Sequence, residues 1–360
     1  MNRERIAAIA KLAGVNLFLF ALLVVGLELA FGEWFSDHFP PYGAIFNRTF
    51  TYEQHFYNPP SSVTYVRDQY GLRGASAPVN EIGLVTLGGS TTDQRFITEG
   101  DTWQDVMHAV SGIRIANAGV DGLSSSGHVV ALTDWLHRIP NFHPRYYLHY
   151  IGVNDALYVH YLPLNEPSAR AKVLALLQRQ VQPRSFSRIL RARSVFVRTY
   201  LRLTAWIVGP PVVGSNLPSV STTAPEVAVE VSDAPMTEYI ESIYRPNLHR
   251  LIQLHQQNGE HAILVSQPGH PSFFRRKGTS VFVRSKGMEV WAVALRMIND
   301  TTEAVCREHA ANCSFIDLAS ELPLEADDFY DFIHATPAGA RRIGTFLAQK
   351  LSDLRRADSF

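Results

Sequence analysis

Apolar and polar residues alternate along this chain in blocks, and the lengths of the blocks predict the elements. Five short apolar runs predict buried β-strands, at residues 82–88, 113–119, 146–152, 262–268 and 314–318. Longer stretches predict helices at residues 101–111, 124–138, 235–258, 286–310 and 336–354. We expect Pro246 to kink the third helix or divide it. Because strands alternate with helices, we predict βαβ units and a five-stranded parallel sheet with helices on both faces.

One apolar run near the N-terminus is much longer than the predicted strands. Between Leu12 and Phe31 the only strongly polar residues are Asn16 and Glu28, and this length can cross a membrane as a helix. Three basic residues precede the run: Arg3, Arg5 and Lys11. By the positive-inside rule these stay in the cytoplasm, and the rest of the chain is exported to the periplasm or cell surface. A cleaved signal peptide is the alternative, but Glu28 stands where a cleavage site needs a small residue.

This pattern divides the chain into an N-terminal membrane anchor at 1–35, a connector at 36–80 and a main domain at 81–357. The connector is rich in aromatic residues, proline and asparagine, and we expect it to be irregular and to pack on the domain. An insertion occupies residues 157–234. Its second half is rich in proline, serine, threonine and valine and is expected to be a mobile loop.

The first half of the insertion is basic and amphipathic. No acidic residue occurs from Pro167 to Val220, whereas arginines recur at helical spacing among apolar residues. Such a helix rests on anionic lipid or meets an acidic glycan, or it is a solvated face over an ordinary apolar contact. The sequence leaves these alternatives open.

Composition and charge indicate the general class of the protein. Apolar residues make up 46% of the 360 residues, charged residues make up 18%, and the formal net charge is zero. These values fit a folded protein and give no argument for nucleic acid as a partner. The two cysteines, Cys306 and Cys313, form either a disulfide or two buried thiols. We predict no metal site and no cofactor, because the sequence has no Cys/His cluster at ligand spacing.

The residues that carry candidate chemistry follow the predicted strands. Ser90 follows the first strand in "LGGSTT", Gly122 lies in "NAGVDG" after the second, and Asn154 lies in "GVND" after the third. Asp331 and His334 lie three residues apart in "DFIHATPAG". The carboxyl ends of parallel strands meet at one edge of a sheet, so these side chains are expected to lie close together. A serine nucleophile needs a base, an acid that orients the base, and fixed donors for the oxyanion.

In this order and spacing, the four blocks resemble the SGNH (GDSL-like) hydrolase superfamily, in particular its membrane-anchored bacterial members. The resemblance covers Ile82 to Leu351. It implies a three-layer α/β/α flavodoxin-like domain. The chain departs from the more common first block at Gly89, which stands in place of an acid. The insertion matches no block, so the resemblance says nothing about substrate recognition there.

The resemblance also implies a role for each candidate residue. Ser90 would attack an ester carbonyl, His334 would act as its general base and Asp331 would orient the imidazole. The oxyanion hole would comprise the backbone N–H groups of Ser90 and Gly122 and the side-chain amide of Asn154. Two nearby acids are interpreted as solvated: Asp327 and Asp328.

The function expected from these observations is that of a membrane-anchored serine esterase. The expected substrate is a small acyl ester, favouring O-acetyl groups on envelope or exopolysaccharide sugars. Three alternatives stay open: an O-acetyltransferase that uses the same triad, a lipase or lysophospholipase, and a non-catalytic envelope binding protein. The expected partners are an acylated glycan or small ester, and the membrane through the N-terminal helix and the basic insertion. Protein partners are not indicated.

Overall fold

The structure, a computed structural model, describes residues 3–35, 45–74, 78–162, 166–180, 190, 193–208, 227–228, 234–271, 274–277, 280–283 and 288–357. The predicted mobile loop in the second half of the insertion lies outside these ranges, apart from Val227–Ala228. By contacts the chain forms two compact units. The smaller comprises Met1–Tyr42 and Pro183–Gly214, and the larger comprises Gly43–Gln182 and Ser215–Phe360.

Ten strands lie within the described ranges: β1 Arg48–Gln54, β2 Ser61–Arg67, β3 Leu84–Gly88, β4 Ile115–Asn117, β5 Tyr146–Tyr150, β6 Val227–Ala228, β7 His261–Val265, β8 Phe274–Lys277, β9 Ser280–Val283 and β10 Cys313–Ile316. The α-helices in the same ranges are α1 Arg3–Phe31, α2 Ser90–Asp93, α3 Trp103–Ser111, α4 Ser125–Asp134, α5 Val153–His160, α6 Pro167–Gln180, α7 Val195–Val208, α8 Ala234–Tyr239, α9 Arg245–Gln257, α10 Glu289–Glu308, α11 Leu318–Glu321 and α12 Pro337–Ala357. Short 3₁₀ turns occupy Val79–Glu81, Leu136–Arg138 and Ala326–Asp328, and a π-helical turn, Ile240–Tyr244, joins α8 to α9.

The larger unit is built on a parallel sheet with the strand order β10-β7-β5-β3-β4. Counted along the chain within this sheet, the order is 2-1-3-4-5, the flavodoxin-like doubly wound order. The predicted fold class is therefore confirmed. In this order the strand sequence reverses between β3 and β5, and ligands of such sheets bind in the crevice at the carboxyl ends of the strands there.

Helices cover both faces of this sheet, so its central strands are buried along their whole length. Alternate residues of β3 face opposite sides: Leu84 packs in a cluster with Trp103 and Leu347, whereas Val85 packs in a second cluster with Trp291. Helices α3 and α12 form the first layer, and helices α4, α5, α9 and α10 form the second. The result is the predicted three-layer arrangement.

The connector differs from its prediction, because residues 48–67 contain an antiparallel β-hairpin formed by β1 and β2. Buried Val63, Tyr65 and Arg67 alternate with less buried residues in β2. The sequence signal is weak because an arginine occupies one of the buried positions, which the apolar pattern alone does not reveal. A second antiparallel sheet, β6-β9-β8, was likewise not predicted.

Two local features of the sequence can be compared with the structure. Pro246 lies in the first turn of α9, directly after the π-helical turn, and the backbone stays in the right-handed helical region where the two segments meet. Cys306 lies near the end of α10 and Cys313 begins β10, and the two form a disulfide. Of the two alternatives left open by the sequence, a disulfide or two buried thiols, the structure shows the disulfide.

The smaller unit contains α1 and α7, which contact each other. The segment Lys11–Phe31 of α1 has a mean hydropathy of 2.3 and, by length and composition, can cross a membrane or serve as a signal sequence. None of that segment is buried within the protein.

Candidate active site

Ser90 lies at the carboxyl end of β3, in the position that the sequence predicts. The strand ends at Gly88, Gly89 is the residue before the helix, and Ser90 is the first residue of α2. The first N–H groups of a helix have no intrahelical partner. Among the described residues the Ser90 N–H makes no hydrogen bond, so it is available as a donor beside its own hydroxyl.

Ser90, His334 and Asp331 lie in one hydrogen-bonded row, although 244 residues separate the serine from the histidine. The distance between Ser90 Oγ and His334 Nε2 is 2.7 Å, and that between His334 Nδ1 and Asp331 Oδ2 is 2.6 Å. The histidine and aspartate side chains are 16% and 12% exposed, so the row can be reached from solvent. This is the arrangement of a serine nucleophile, a general base and the acid that orients it.

The loop that carries Asp331 fixes the carboxylate as well as the imidazole. Asp331 Oδ1 accepts hydrogen bonds from the N–H groups of Ile333, at 2.9 Å, and His334, at 2.7 Å. With the imidazole on Oδ2, the carboxylate has three donors. The ring of Tyr330 stacks on that of His334, with a 6° angle between the planes and 5.4 Å between the centroids. The orientation of the base is therefore set from two sides.

Of the predicted oxyanion donors, Asn154 contacts the residue before Ser90, and Gly122 lies in the turn whose next residue, Leu123, accepts a hydrogen bond from Asn154. Gly122 has a φ of +73°, which favours glycine, and within the described part of the chain its N–H makes no hydrogen bond. Asn154 lies in the first turn of α5, and its Nδ2 donates to the carbonyl of Leu123 at 2.9 Å. A Cβ atom on Gly89 would come within 2.1 Å of this Nδ2. The Asn154 amide therefore lies directly against the residue that precedes the serine.

Asp155 does not lie at the rim with Asn154 but is fully buried beneath it. Its carboxylate accepts from the N–H of Ser125 at 2.9 Å, from Ser125 Oγ at 2.6 Å and from Tyr239 OH at 2.8 Å. Burial raises the pKa of Asp155 to about 6, although these hydrogen bonds oppose the rise. Asp155 thus ties the start of α4, just after the Gly122 turn, to the helix that presents Asn154.

Sequence reasoning missed the ionic cluster behind the serine. Asp93, the last residue of α2, is 2% exposed and pairs with Arg67 of β2, and Arg67 also donates to the carbonyl of Asn117. Arg73 is 1% exposed and donates to the Gln94 carbonyl at 2.8 Å. Burial alone would raise the pKa of Asp93, but the Arg67, Arg95 and Arg73 guanidinium groups hold it below its usual value. Through Arg67, the β1–β2 hairpin therefore holds both α2, which begins with Ser90, and the end of β4.

The two acids interpreted as solvated differ in the structure. Asp327 is exposed, as expected. Asp328 is 4% exposed, pairs with Arg342 and accepts from the N–H of Glu325 at 2.7 Å, so the prediction is wrong for this residue. Its carboxylate is enclosed because it ties the 3₁₀ turn Ala326–Asp328 to α12.

One group of described side chains has the composition of a cation site: His137, His255 and Glu260. Glu260 Oε2 lies 3.0 Å from His137 Nε2 and 2.8 Å from His255 Nδ1. His137 Nδ1 faces Asn258 Nδ2, which itself donates to the carbonyl of Leu254 at 2.8 Å. A nitrogen that faces a donor is the unprotonated one, so we assign the hydrogen of His137 to Nε2. This tautomer donates to Glu260 and offers no lone pair to a cation between them.

Comparisons with known proteins give similarities at low identity. No family model and no curated protein matches the sequence. A GDSL-like lipase from Bacteroides thetaiotaomicron VPI-5482 is 12% identical with a TM-score of 0.39, over 78% of this chain and 92% of that one. A member of the lipolytic protein G-D-S-L family from Veillonella parvula DSM 2008 is 14% identical with a TM-score of 0.37, over 74% and 96%. A psychrotrophic esterase from Pseudoalteromonas sp. is 11% identical with a TM-score of 0.39, over 76% and 98%. The site assignment depends on the geometry of this chain.

Proposed function

We propose that this chain is a serine esterase that acts through an acyl-serine intermediate. The observation that carries the proposal is the row Ser90–His334–Asp331, with 2.7 Å and 2.6 Å between successive partners. A row of this kind activates a hydroxyl for attack on a carbonyl carbon.

The reaction follows from the positions of the donors and acceptors. Ser90 Oγ bonds to the ester carbonyl carbon while its proton moves to His334 Nε2. The N–H groups of Ser90 and Gly122 and one hydrogen of the Asn154 amide stabilise the resulting oxyanion. The bond to the alcohol then breaks as His334 returns the proton to the alkoxide. Water attacks the acyl-serine, His334 accepts a proton from it, and collapse releases the carboxylic acid and restores the Ser90 hydroxyl.

The preferred substrate in this proposal is a small acyl ester, in particular an O-acetyl group, on a sugar of the cell envelope or an exopolysaccharide. An aromatic cluster next to the imidazole supports it. Besides Tyr330, partly exposed rings gather there: Phe56, Tyr57 and Phe96. Amphipathic aromatic surfaces of this kind suit ligands with both apolar faces and polar edges, as sugar rings have.

The same proposal places the larger unit outside the cytoplasm, attached by α1. Arg3, Arg5 and Lys11 precede the apolar segment, which favours a cytoplasmic N-terminus. The disulfide between Cys306 and Cys313 supports an oxidising compartment. The intact mass of the protein from the membrane fraction tests the anchor. A full-length mass supports it, whereas a chain that begins after Phe31 contradicts it in favour of a signal peptide.

The enzyme assignment is tested with a serine-reactive fluorophosphonate probe and an acetyl ester. We expect the probe to label the wild-type protein and Thr91→Ala, which removes the neighbouring hydroxyl, but not Ser90→Ala. We also expect Ser90→Ala to lose about 10⁶ in kcat while its circular dichroism stays unchanged. An active Ser90→Ala protein contradicts the proposal.

A substrate panel then distinguishes the finer alternatives. Faster turnover of long-chain than of acetyl esters would replace the small-acyl assignment with a lipase. Acetylated glycan formed from an acetyl donor and a glycan acceptor would identify acyl transfer to sugar hydroxyls. Release of acetate from an acetylated polysaccharide, lost in Ser90→Ala, is the result that the proposal expects.

A further inference from the structure

The apolar segment of α1 contains one carboxylate, and the structure shows what holds it. Glu28 accepts hydrogen bonds from Ser194 Oγ, from the N–H of Val195 at 3.1 Å and from Trp34 Nε1 at 2.8 Å. Ser194 and Val195 form the start of α7, where unpaired N–H groups and the helix dipole favour a negative charge. Glu28 therefore caps a second helix, and these hydrogen bonds stabilise a charge that is costly in hydrocarbon.

The position of Glu28 fixes the depth at which α7 begins. The segment Lys11–Phe31 has 21 residues, and at 1.5 Å per residue it spans about 31 Å, close to the thickness of a hydrocarbon core. Glu28 lies three residues before its end, which is about 5 Å along the helix axis. Just beyond the span, Glu33 pairs with Arg198 of α7. The first turn of α7 is thus attached at the level where hydrocarbon meets headgroups.

Three apolar side chains of α7 are exposed and share one face, where the polar Thr199 is exposed beside them. Phe196 is 43% exposed, Tyr200 is 66% exposed and Leu203 is 52% exposed, and their spacing of four and three residues places them side by side. Arg198 lies about 200° around the helix from Phe196, on the opposite side. Among the described residues, the exposed large apolar side chains outside the smaller unit are Val110 and Tyr161. Exposed apolar surface is therefore concentrated on the unit that carries the membrane segment.

We propose that α7 lies in the boundary between headgroups and acyl chains of the bilayer that α1 spans, and that Glu28 holds it there. Phe196, Tyr200 and Leu203 face the acyl chains, and Arg198 faces the headgroup side. An amphipathic helix with aromatic and leucine residues opposite basic ones suits this position. The occupant of the exposed face is thus lipid. The inference rests on the proposed anchoring by α1 and is independent of the esterase chemistry.

The test uses full-length protein in vesicles of phosphatidylcholine and phosphatidylglycerol that contain a nitroxide-labelled lipid. The native cysteines form a disulfide and no other cysteine is present, so a single introduced cysteine can be labelled with an environment-sensitive fluorophore. We expect the label in Phe196→Cys to lose most of its emission to the nitroxide. A matched label in Arg307→Cys, at an exposed charged position of α10, should keep its emission. Equal emission from the two labels in the presence of nitroxide overturns the proposal.

Two further variants distinguish the parts of the inference. A label in Leu17→Cys reports on α1 itself. If it is not quenched, the anchoring proposal fails, whereas a quenched Leu17 label with an unquenched Phe196 label defeats this inference alone. In the double variant Phe196→Cys/Glu28→Ala, the label at position 196 should recover its emission. In the double variant Leu17→Cys/Glu28→Ala, the label at position 17 should stay quenched. Unchanged quenching at position 196 would contradict the role of Glu28 as the tether.

Discussion

The larger unit contains two rows in which a carboxylate, an imidazole and a third side chain are joined by hydrogen bonds. The Ser90 row consists of Asp331, His334 and Ser90, and the His149 row consists of Glu260, His255 and His149. The distances are similar, 2.6 Å and 2.7 Å in the first and 2.8 Å twice in the second. The carboxylate–imidazole geometry by itself therefore does not distinguish a catalytic site.

The two rows differ in the side chain at their end and in their exposure to solvent. The Ser90 row ends in a hydroxyl at the carboxyl end of β3, the Ser90 N–H makes no hydrogen bond within the described part of the chain, and the His334 side chain is 16% exposed. The His149 row ends in a second imidazole on β5, and the His255 side chain is completely buried. Burial lowers the pKa of His255, although Glu260 opposes the decrease. The Ser90 row is a candidate active site because it has a nucleophile, candidate oxyanion donors and exposure to solvent. The His149 row contributes to the packing of the domain.

The largest difference between the two rows is expected when the acid of each is changed to the corresponding amide. In the Ser90 row this change is Asp331→Asn. Asp331→Asn leaves the side-chain shape intact but allows the amide to stabilise the wrong tautomer of His334. We expect kcat of the folded protein for an acetyl ester to fall by about 10⁴. Full activity of Asp331→Asn would mean that another group orients the imidazole.

The next effect concerns the donors that only the Ser90 row has beside it. Asn154→Ala removes the amide that lies against Gly89. We expect kcat to fall by about 10²–10³ because one oxyanion donor is lost, with KM changed less than kcat. Steady-state kinetics on an acetyl ester measures both. An effect confined to KM would assign Asn154 to substrate binding instead.

Glu260→Gln is the counterpart of the first change in the His149 row. Glu260 accepts from both His137 and His255, and hydrogen bonds to a charged group are worth about 1.5–3 kcal/mol each. We therefore expect a loss of about 3 kcal/mol in the free energy of unfolding with kcat of the folded protein unchanged. Glu303→Gln, which removes an exposed ion pair with Arg307, is the control and should change stability by less than about 0.5 kcal/mol.

The smallest expected effect is a dependence of stability on pH. Burial lowers the pKa of His128 to about 3, and burial lowers that of His149 well below its usual value. Below about pH 6.5 these histidines are protonated in the unfolded chain but stay neutral in the folded protein. The folded state is therefore less stable at acidic pH than at neutral pH. Asp155, whose pKa is raised to about 6 by burial, acts in the opposite direction over the range below that value.

Urea unfolding at about pH 7.5 and about pH 5 measures this dependence. His128 should contribute about 2 kcal/mol of the loss between these conditions, and His149 should contribute in the same direction. His128→Gln should therefore reduce the difference between the two conditions by about 2 kcal/mol, whatever its absolute stability. An unchanged difference would show that His128 is not the group that titrates on unfolding.

Much of the larger unit could be predicted from sequence because its signals are local. The five strands of the parallel sheet appear as apolar runs, and Asp331 and His334 are close enough in sequence for a turn to join them. The missed features depend on partners distant in sequence. Arg67 is buried because Asp93 and the Asn117 carbonyl enclose it, and Glu28 is satisfied by Ser194, 166 residues further on. Arg67 has no apolar pattern that would reveal its burial, and no residue near Glu28 in the sequence reveals its partner Ser194.

The contact between Gly89 and the Asn154 amide has a consequence for sequence change in this protein. A side chain at position 89 would need the volume that the amide group now occupies. The acid found in the more common first block would therefore displace the Asn154 amide from its present position. A substitution at position 89 is thus expected to change the proposed oxyanion hole as well as the turn before Ser90.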